Sequence, residues 1–349
     1  MPPDFNIAVA AGLLIGLAYG AVGLLSGFCM LSSLRGWWAE GDSRLIRTFA
    51  LALAVAVAAT QLLAGYGVVD LGKSVYLQPS FSAPLMFAGG LLFGYGMVLA
   101  NGCGSRALVL LGRGNLRSFV VVIVLGISAQ MTLRGLIAPV RIALLQESTT
   151  RPAHLTLPEL LGGGAMSARV IAASVIAAVL LLFAFAHAPF RRAGGQIAAG
   201  VAVGLLVVAG WFATGYLGAD EFNPAAVTSL TFVNPVVDAV QYVMLSTGLA
   251  LNFGITLVGG VFAGSLLTAL VTRRFHLEGY TSPGHMLRSI AGAALMGSGG
   301  AMALGCSIGQ GITGISTLAL PSFVAVVGIV LGTAAGLRGP LRVPPLASA

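Results

Sequence analysis

The sequence predicts an all-α integral membrane protein of about nine transmembrane helices plus short re-entrant helices, built as two inverted four-helix repeats joined by a linker helix. Three observations carry that expectation: too little charge to cover a water-facing surface, a series of apolar runs of bilayer length, and a likeness between the two halves. Only 8% of the 349 residues are charged and 57% are hydrophobic, with a mean hydropathy of +0.97. A soluble domain carries about 25% charged residues, so this chain has to turn its outer surface to lipid. The net charge of +8 does not point to nucleic acid. The basic residues fall in short loops between apolar runs, where they set topology and attract anionic membrane lipid.

A bilayer core about 30 Å thick takes roughly 20 mainly apolar residues per helix. Nine segments qualify, at 7–28, 45–66, 83–101, 117–138, 169–187, 195–213, 246–271, 285–304 and 319–337. They lack the short alternation of outer-membrane strands, and backbone in lipid must satisfy its own hydrogen bonds, so helices are expected. Met1 to Asn6 has no basic stretch of the kind that opens a cleavable leader, and the first run therefore reads as a span. Glycines spaced at three or four, such as Gly12/Gly16/Gly20 and Gly90/Gly94, predict close helix packing. With nine spans, one face receives Arg35, Arg44, Arg47, Arg106, Arg113, Arg117, Arg191, Arg192, Arg273, Arg274, Arg288, Arg338 and Arg342. The other receives Lys73, Arg134, Arg141, Arg151 and Arg169, with most acids, among them Asp70, Glu147, Glu159, Asp220, Glu221 and Asp238. The basic face is expected in the cytoplasm. The N terminus of this inner-membrane protein is then periplasmic and the C terminus cytoplasmic.

Self-similarity divides the chain. GGLLFGYGMVLANGCG at 89–104 aligns without gaps on GAALMGSGGAMALGCS at 292–307, placing Cys103 on Cys306. AAGLLIGLAYGAVGLLSGF at 10–28 resembles AAGVAVGLLVVAGWFATGY at 198–216, although Leu217 stands where the first copy has Cys29. The expected organisation is a first membrane repeat at 1–138, a periplasmic loop and linker helix at 139–194, and a second repeat at 195–349 ending in a disordered Pro-rich tail. A single linker helix turns the second copy upside down, as in many transporters whose substrate sits near the midplane.

Three segments share one form: a span ends, a cysteine follows, and a short glycine-rich polar stretch comes next. They are Ser26-Gly27-Phe28-Cys29-Met30, Asn101-Gly102-Cys103-Gly104-Ser105-Arg106, and Leu304-Gly305-Cys306-Ser307-Ile308-Gly309-Gln310-Gly311. Glycine allows a helix to break, and broken helices at membrane depth are tolerated where they line a cavity. A half-helix starting after each cysteine would aim its positive end at an anion. A thiol is a soft, weak donor, better matched to an anion with charge on sulfur, such as thiosulfate, than to sulfate. Thiolates would repel an anion, so neutral S–H groups making successive weak contacts are expected. The same cysteines read alternatively as small buried apolar residues.

The remaining candidates are polar. Gln310 is placed to donate to a substrate oxygen, and Asn101 to cap the half-helix after Cys103. Arg134 either draws an anion in or snorkels to headgroups. Arg106 beside Cys103 leaves open a nucleophilic or redox role, as in a membrane sulfurtransferase that forms a persulfide. With only three cysteines and His154, His187, His276 and His285 scattered, neither a disulfide framework nor a metal or cofactor site is expected. A structural subunit is disfavoured by the lack of soluble loops.

The Gly-Phe-Cys end of the first helix, NGCGSRALVLLGRGNLRS at 101–118 and GCSIGQGITGISTLAL at 305–320 resemble the YeeE/YedE family of bacterial thiosulfate transporters. That resemblance implies a nine-span bundle with inverted repeats and thiosulfate uptake past Cys29, Cys103 and Cys306. Gly102, Gly104, Ser105, Arg106, Gly305 and Ser307 share these motifs and count with them as substrate-binding candidates. The resemblance also implies a TusA-like or rhodanese-like sulfur carrier as cytosolic partner. A small residue is expected near position 106, and the bulky Arg106 departs from the pattern. Relatives are also linked to selenium and other sulfur species.

Overall fold

The computed structural model describes residues 7–162, 166–219, 226–339 and 341–343. Asp220, Glu221 and most of the Pro-rich tail, 340 and 344–349, lie outside them. Among the described residues fifteen α-helices follow one another: α1 (Ile7–Ser26), α2 (Met30–Arg35), α3 (Arg44–Gly65), α4 (Ala83–Ala100), α5 (Gly104–Gly112), α6 (Leu116–Arg134), α7 (Ala138–Ser148), α8 (Leu157–Gly162), α9 (Met166–Phe185), α10 (Ala188–Arg191), α11 (Gly194–Phe212), α12 (Val233–Leu245), α13 (Phe253–Val271), α14 (Pro283–Met302) and α15 (Leu320–Leu337). Among the described residues β structure is limited to isolated bridges, such as Phe81 with Thr150. The chain is thus an all-α integral membrane protein.

Among the described residues eight helical segments are long and apolar enough to cross a bilayer. The ninth expected span, α14, is equally long at 20 residues but carries His285 and Arg288 in its first turns. It packs between α4 and α6. Two boundaries differ from expectation. The span expected at 246–271 begins only at Phe253, because the Asn252 side chain accepts from Ile255 N at 2.9 Å and starts α13 there. The residues before it, 246–252, form a turn and an irregular stretch, and helix α12, which precedes them, was not among the expected spans. The span expected at 117–138 stops at Arg134, where Gly135 ends α6 and Pro139 opens α7.

Glycine decides which helices touch. A Cβ on Gly16 would meet Leu257 O at 2.3 Å, and one on Gly94 would meet Ile329 O at 2.1 Å. Only a missing side chain lets these backbones approach so closely. Four pairs arise in this way: α1 with α13, α3 with α11, α4 with α15, and α6 with α14. At the centre α4 and α14 run antiparallel, Gly96 against Gly292 and Gly89 against Gly299. Exchanging α1, α3, α4 and α6 for α11, α13, α14 and α15 returns the same set of pairs.

Tertiary contacts tie several of the arginines expected on one face to distant segments. Arg338 donates to Trp38 O, Arg47 to Phe183 O, and Arg113 Nη2 lies 2.9 Å from His276 Nε2. Helix α9 packs against α3. Near the opposite face Arg169 Nε donates to Gln61 Oε1 at 3.0 Å, Gln61 Nε2 donates to Ser316 O at 2.7 Å, and Trp211 Nε1 reaches Ser316 Oγ at 3.2 Å.

Candidate functional site

Each cysteine stands where a helix is interrupted, and the backbone explains how. Gly27, at φ +70°, ends α1, and Cys29 is the extended residue that opens α2. Asn101, at φ 58°, ends α4, and Cys103 opens α5. Leu304, at φ 55°, repeats the bend after α14, and a π-helical segment, Gly309–Gly314, follows Cys306. The last two junctions match bond for bond. Gly102 N donates to Met97 O at 3.0 Å and Gly305 N to Gly300 O at 2.9 Å. Ala107 N bonds Cys103 O at 2.9 Å, as Gln310 N bonds Cys306 O at 2.7 Å. Each segment then leaves through a second left-handed residue, Gly114 or Leu318.

The fold brings the three segments together. Cys29 Sγ and Cys103 Sγ are 3.5 Å apart, and Ser105 Oγ lies 3.2 Å from Cys103 Sγ. A Cβ on Gly311 would lie 3.9 Å from Met30 Sδ, so the segment after Cys306 adjoins the start of α2. The Tyr19 phenol, from the middle of α1, interacts with Ser105 and with all three thiols. Cys306 Sγ accepts from Gly309 N at 3.2 Å and borders Thr231. All three thiols are free and closed off from solvent, with Cys29 and Cys103 at 0% and Cys306 at 1% exposure. Chemically this places two soft thiols in contact within an occluded interior, with the third on an adjoining segment.

The surroundings of the two halves differ. Near Cys29 and Cys103 stand cations: Arg106 Nη1 donates to Gly27 O at 3.2 Å, and Arg35 Nη1 to Asn101 Oδ1 at 2.6 Å. Around Cys306 the side chains are neutral, and many are unsatisfied. Ser307 Oγ, Gln310 Oε1 and Ser322 Oγ are buried with no hydrogen-bond partner, while the buried Tyr76 phenol meets Thr231. Buried polar atoms are rarely left so, because each costs about 1–3 kcal/mol.

Some expected roles change. Asn101 does not cap the half-helix after Cys103; it is the left-handed end of α4, its oxygen taken by Arg35. The Gln310 amide nitrogen is committed to Ala303 O at 2.6 Å, so its oxygen, an acceptor, is the end left over. Gly104 and Gly305 adjoin Leu125 and Gln310 respectively. Arg134 sits exposed at the far end of α6, about 27 Å along the helix from the Asn115 end, and interacts with Asp238. It does not join the cysteines. Tyr19, Tyr76, Thr231 and Arg35 were not singled out in the sequence. A lone aromatic or hydroxyl in an apolar run carries no periodic signal, and only Arg35, six residues after Cys29, lay close to a motif. No group of three metal-ligating side chains occurs among the described residues.

Fold and site together define a polytopic membrane protein with a thiol-lined interior. The chain belongs to the sulphur transport family, whose model matches residues 25–335. It is 23% identical over 343 residues to the thiosulfate transporter TsuA of Escherichia coli (strain K12), covering 93% of this chain and 92% of the relative. It is also 28% identical over 333 residues to the thiosulfate transporter TsuA of Spirochaeta thermophila, covering 92% and 96%.

Proposed function

We propose that this protein takes up thiosulfate, or a closely related sulfur-containing anion, across the bacterial inner membrane by passing it along Cys306, Cys103 and Cys29. The observation that carries this reading is the contact of two thiols, 3.5 Å apart at helix breaks, beside a buried tyrosine, Tyr19, hydrogen-bonded to Ser105. The names of the relatives supply the substrate. The unsatisfied Ser307 hydroxyl favours a polar guest on the Cys306 side. A hydroxyl can donate to its oxygens, whereas Gln310 offers an acceptor and so orients a partner donor. Weak successive contacts let the anion leave as readily as it enters.

The arginine face is cytoplasmic in this reading, with the N terminus periplasmic, and Cys306 is met first. The exchangeable helix pairs and matched junctions support two copies of one four-helix unit in opposite orientation, linked by α9. Arg106 and Arg35 draw the anion inward, and a TusA-like or rhodanese-like carrier receives sulfur at that face. Because the thiols are occluded, passage requires a transient opening.

The test is growth of a sulfur-starved bacterial strain on thiosulfate. Expression of this chain restores growth, and Cys103→Ala or Cys306→Ala abolishes it while the protein stays in the membrane. Undiminished growth of both variants would overturn the relay. Mass spectrometry of Cys103 after thiosulfate exposure should show no persistent added sulfur; a stable persulfide would make the protein a sulfurtransferase instead.

A further inference from the structure

On the arginine-rich face, beside Asn101 and Gly102, lies a cavity of about 80 Å³. A single buried water needs roughly 10–15 Å³ measured this way, so the space holds several waters or one small tetrahedral anion. Its polar wall consists of Asn101, Asn115, Arg117, Ser118, His285 and Ser289, and no carboxylate lines it. Arg117 contributes a cation whose Nε is buried without a hydrogen-bond partner. Glu278, the nearest acid to Arg117, stands 3.7 Å from Nη2 and outside the lining. Asn115 is occupied, giving its amide to Glu278 and its oxygen to Ser118 N. Asn101 has its oxygen on Arg35, which leaves its amide nitrogen for a ligand. Ser289 is 3% exposed, and its hydroxyl, which also meets the Tyr280 phenol, borders the space. His285 interacts with both Arg117 and Arg288, so one further positive group stands near the same imidazole.

We propose that this cavity is a second anion site, separate from the cysteine line, that takes a small doubly charged oxyanion through Arg117, His285, Ser289 and the Asn101 amide. Guanidinium and fixed N–H or O–H donors match oxyanion oxygens. They do not distinguish a terminal sulfur from an oxygen, whereas thiols are soft and weak donors. The cavity therefore accepts sulfate as well as thiosulfate, and selectivity is left to the cysteines. Its place as a holding station on the arginine-rich side rests on the transport reading. The binding itself does not.

Purified full-length protein in detergent is titrated with sodium sulfate against sodium chloride at matched ionic strength, by thermal shift and calorimetry. Sulfate is expected to stabilise the wild type and Cys306→Ala equally, and to bind at least about tenfold more weakly to Arg117→Gln and His285→Gln, one lost charge-assisted contact each. Ser289→Ala leaves the Arg117–Glu278 pair in place and is expected to weaken sulfate by several-fold, which guards against misfolding of the Arg117 variant. Equal binding by wild type and all three cavity variants would sink the proposal, as would absence of any sulfate effect on the wild type. Loss of the effect in Cys306→Ala would place the anion at the thiols and also overturn it. A parallel arm replaces sulfate with phosphatidylglycerol; Arg117-dependent stabilisation by the lipid alone would assign the cavity to a headgroup. Normal sulfate binding by a protein that fails to support growth on thiosulfate would reject the transport reading and leave this site standing.

Discussion

The junction at 101–115 and the junction at 304–319 trace one backbone path with different side chains. Both bend through a left-handed residue, place Gly-Cys next, form a short helical segment and leave through a second left-handed residue. Yet the first faces a second thiol and two arginines, whereas the second faces hydroxyls and an amide. The path is set by helix-breaking geometry and by the glycine contact of α4 with α14. Charge is supplied separately, by positions such as Arg106, which corresponds to Gly309 in the other junction. A cysteine can thus be presented in the same pose to a cationic or a neutral environment, and the two ends of a conduit can differ without a change of fold.

The largest effect should come from spoiling the frame that both junctions hang from. Gly94→Val forces a side chain into Ile329 O, and Gly297→Val into Leu125 O, where even a Cβ would stand at 2.1 and 2.4 Å. Each is expected to cost about 3 kcal/mol or more and to give little folded protein by fluorescence-detected size-exclusion chromatography. If only one does so, the two frames are not equivalent. Next, the left-handed bends can be swapped. Leu304 pays for a conformation that disfavours most side chains by about 1–2 kcal/mol, and Asn tolerates it better. Leu304→Asn should therefore raise the melting temperature by a few degrees. Asn101→Leu should lower it, losing the Arg35 bond as well.

The serines offer a finer comparison. Ser105→Ala removes a hydroxyl that touches Cys103, and should reduce thiosulfate uptake a few-fold without altering the fold. Ser307→Ala deletes a buried oxygen that has no partner, so it should leave stability unchanged or raise it by about 1 kcal/mol. A fall in uptake in that variant would mean the hydroxyl meets the substrate. The smallest effect is expected in the loop before α3. There Arg44 holds the Asp42 carboxyl below the usual carboxylate range through its side-chain and backbone hydrogen bonds. A depressed carboxyl stabilises above its ordinary value near pH 4 and loses that contribution as pH falls through the lowered one. Both side chains are exposed and screened, so Asp42→Asn should barely move the melting curve at pH 7.

The membrane class and most helices were legible because lipid leaves so few options: apolar length and satisfied backbone dictate helices. The Gly-Cys segments were legible as breaks because glycine stands there beside polar residues at the end of an apolar run. What could not be read was tertiary. Tyr19 is one aromatic in an apolar helix, and nothing in its neighbourhood marks it as reaching three cysteines from distant segments. The role of Asn101 was misplaced because Asn favours both a helix start and a left-handed helix end. Only the Arg35 contact and the backbone angle decide between them. The start of α13 was blurred because 246–252 is apolar enough to extend a span, while the cap at Asn252 is a single local bond.

The Arg169–Gln61–Ser316 chain has a mechanical corollary. An arginine near the rim of a peripheral helix ordinarily adjusts its reach to wherever the headgroups lie, letting the helix float in depth. Here its Nε is committed to Gln61, which in turn grips the loop just after the π-helical segment. Helix α9 is therefore pinned in register with the bundle. A thinner or thicker bilayer must be met by tilt or by deforming lipid, since sliding this helix would pull on the stretch that begins at Cys306.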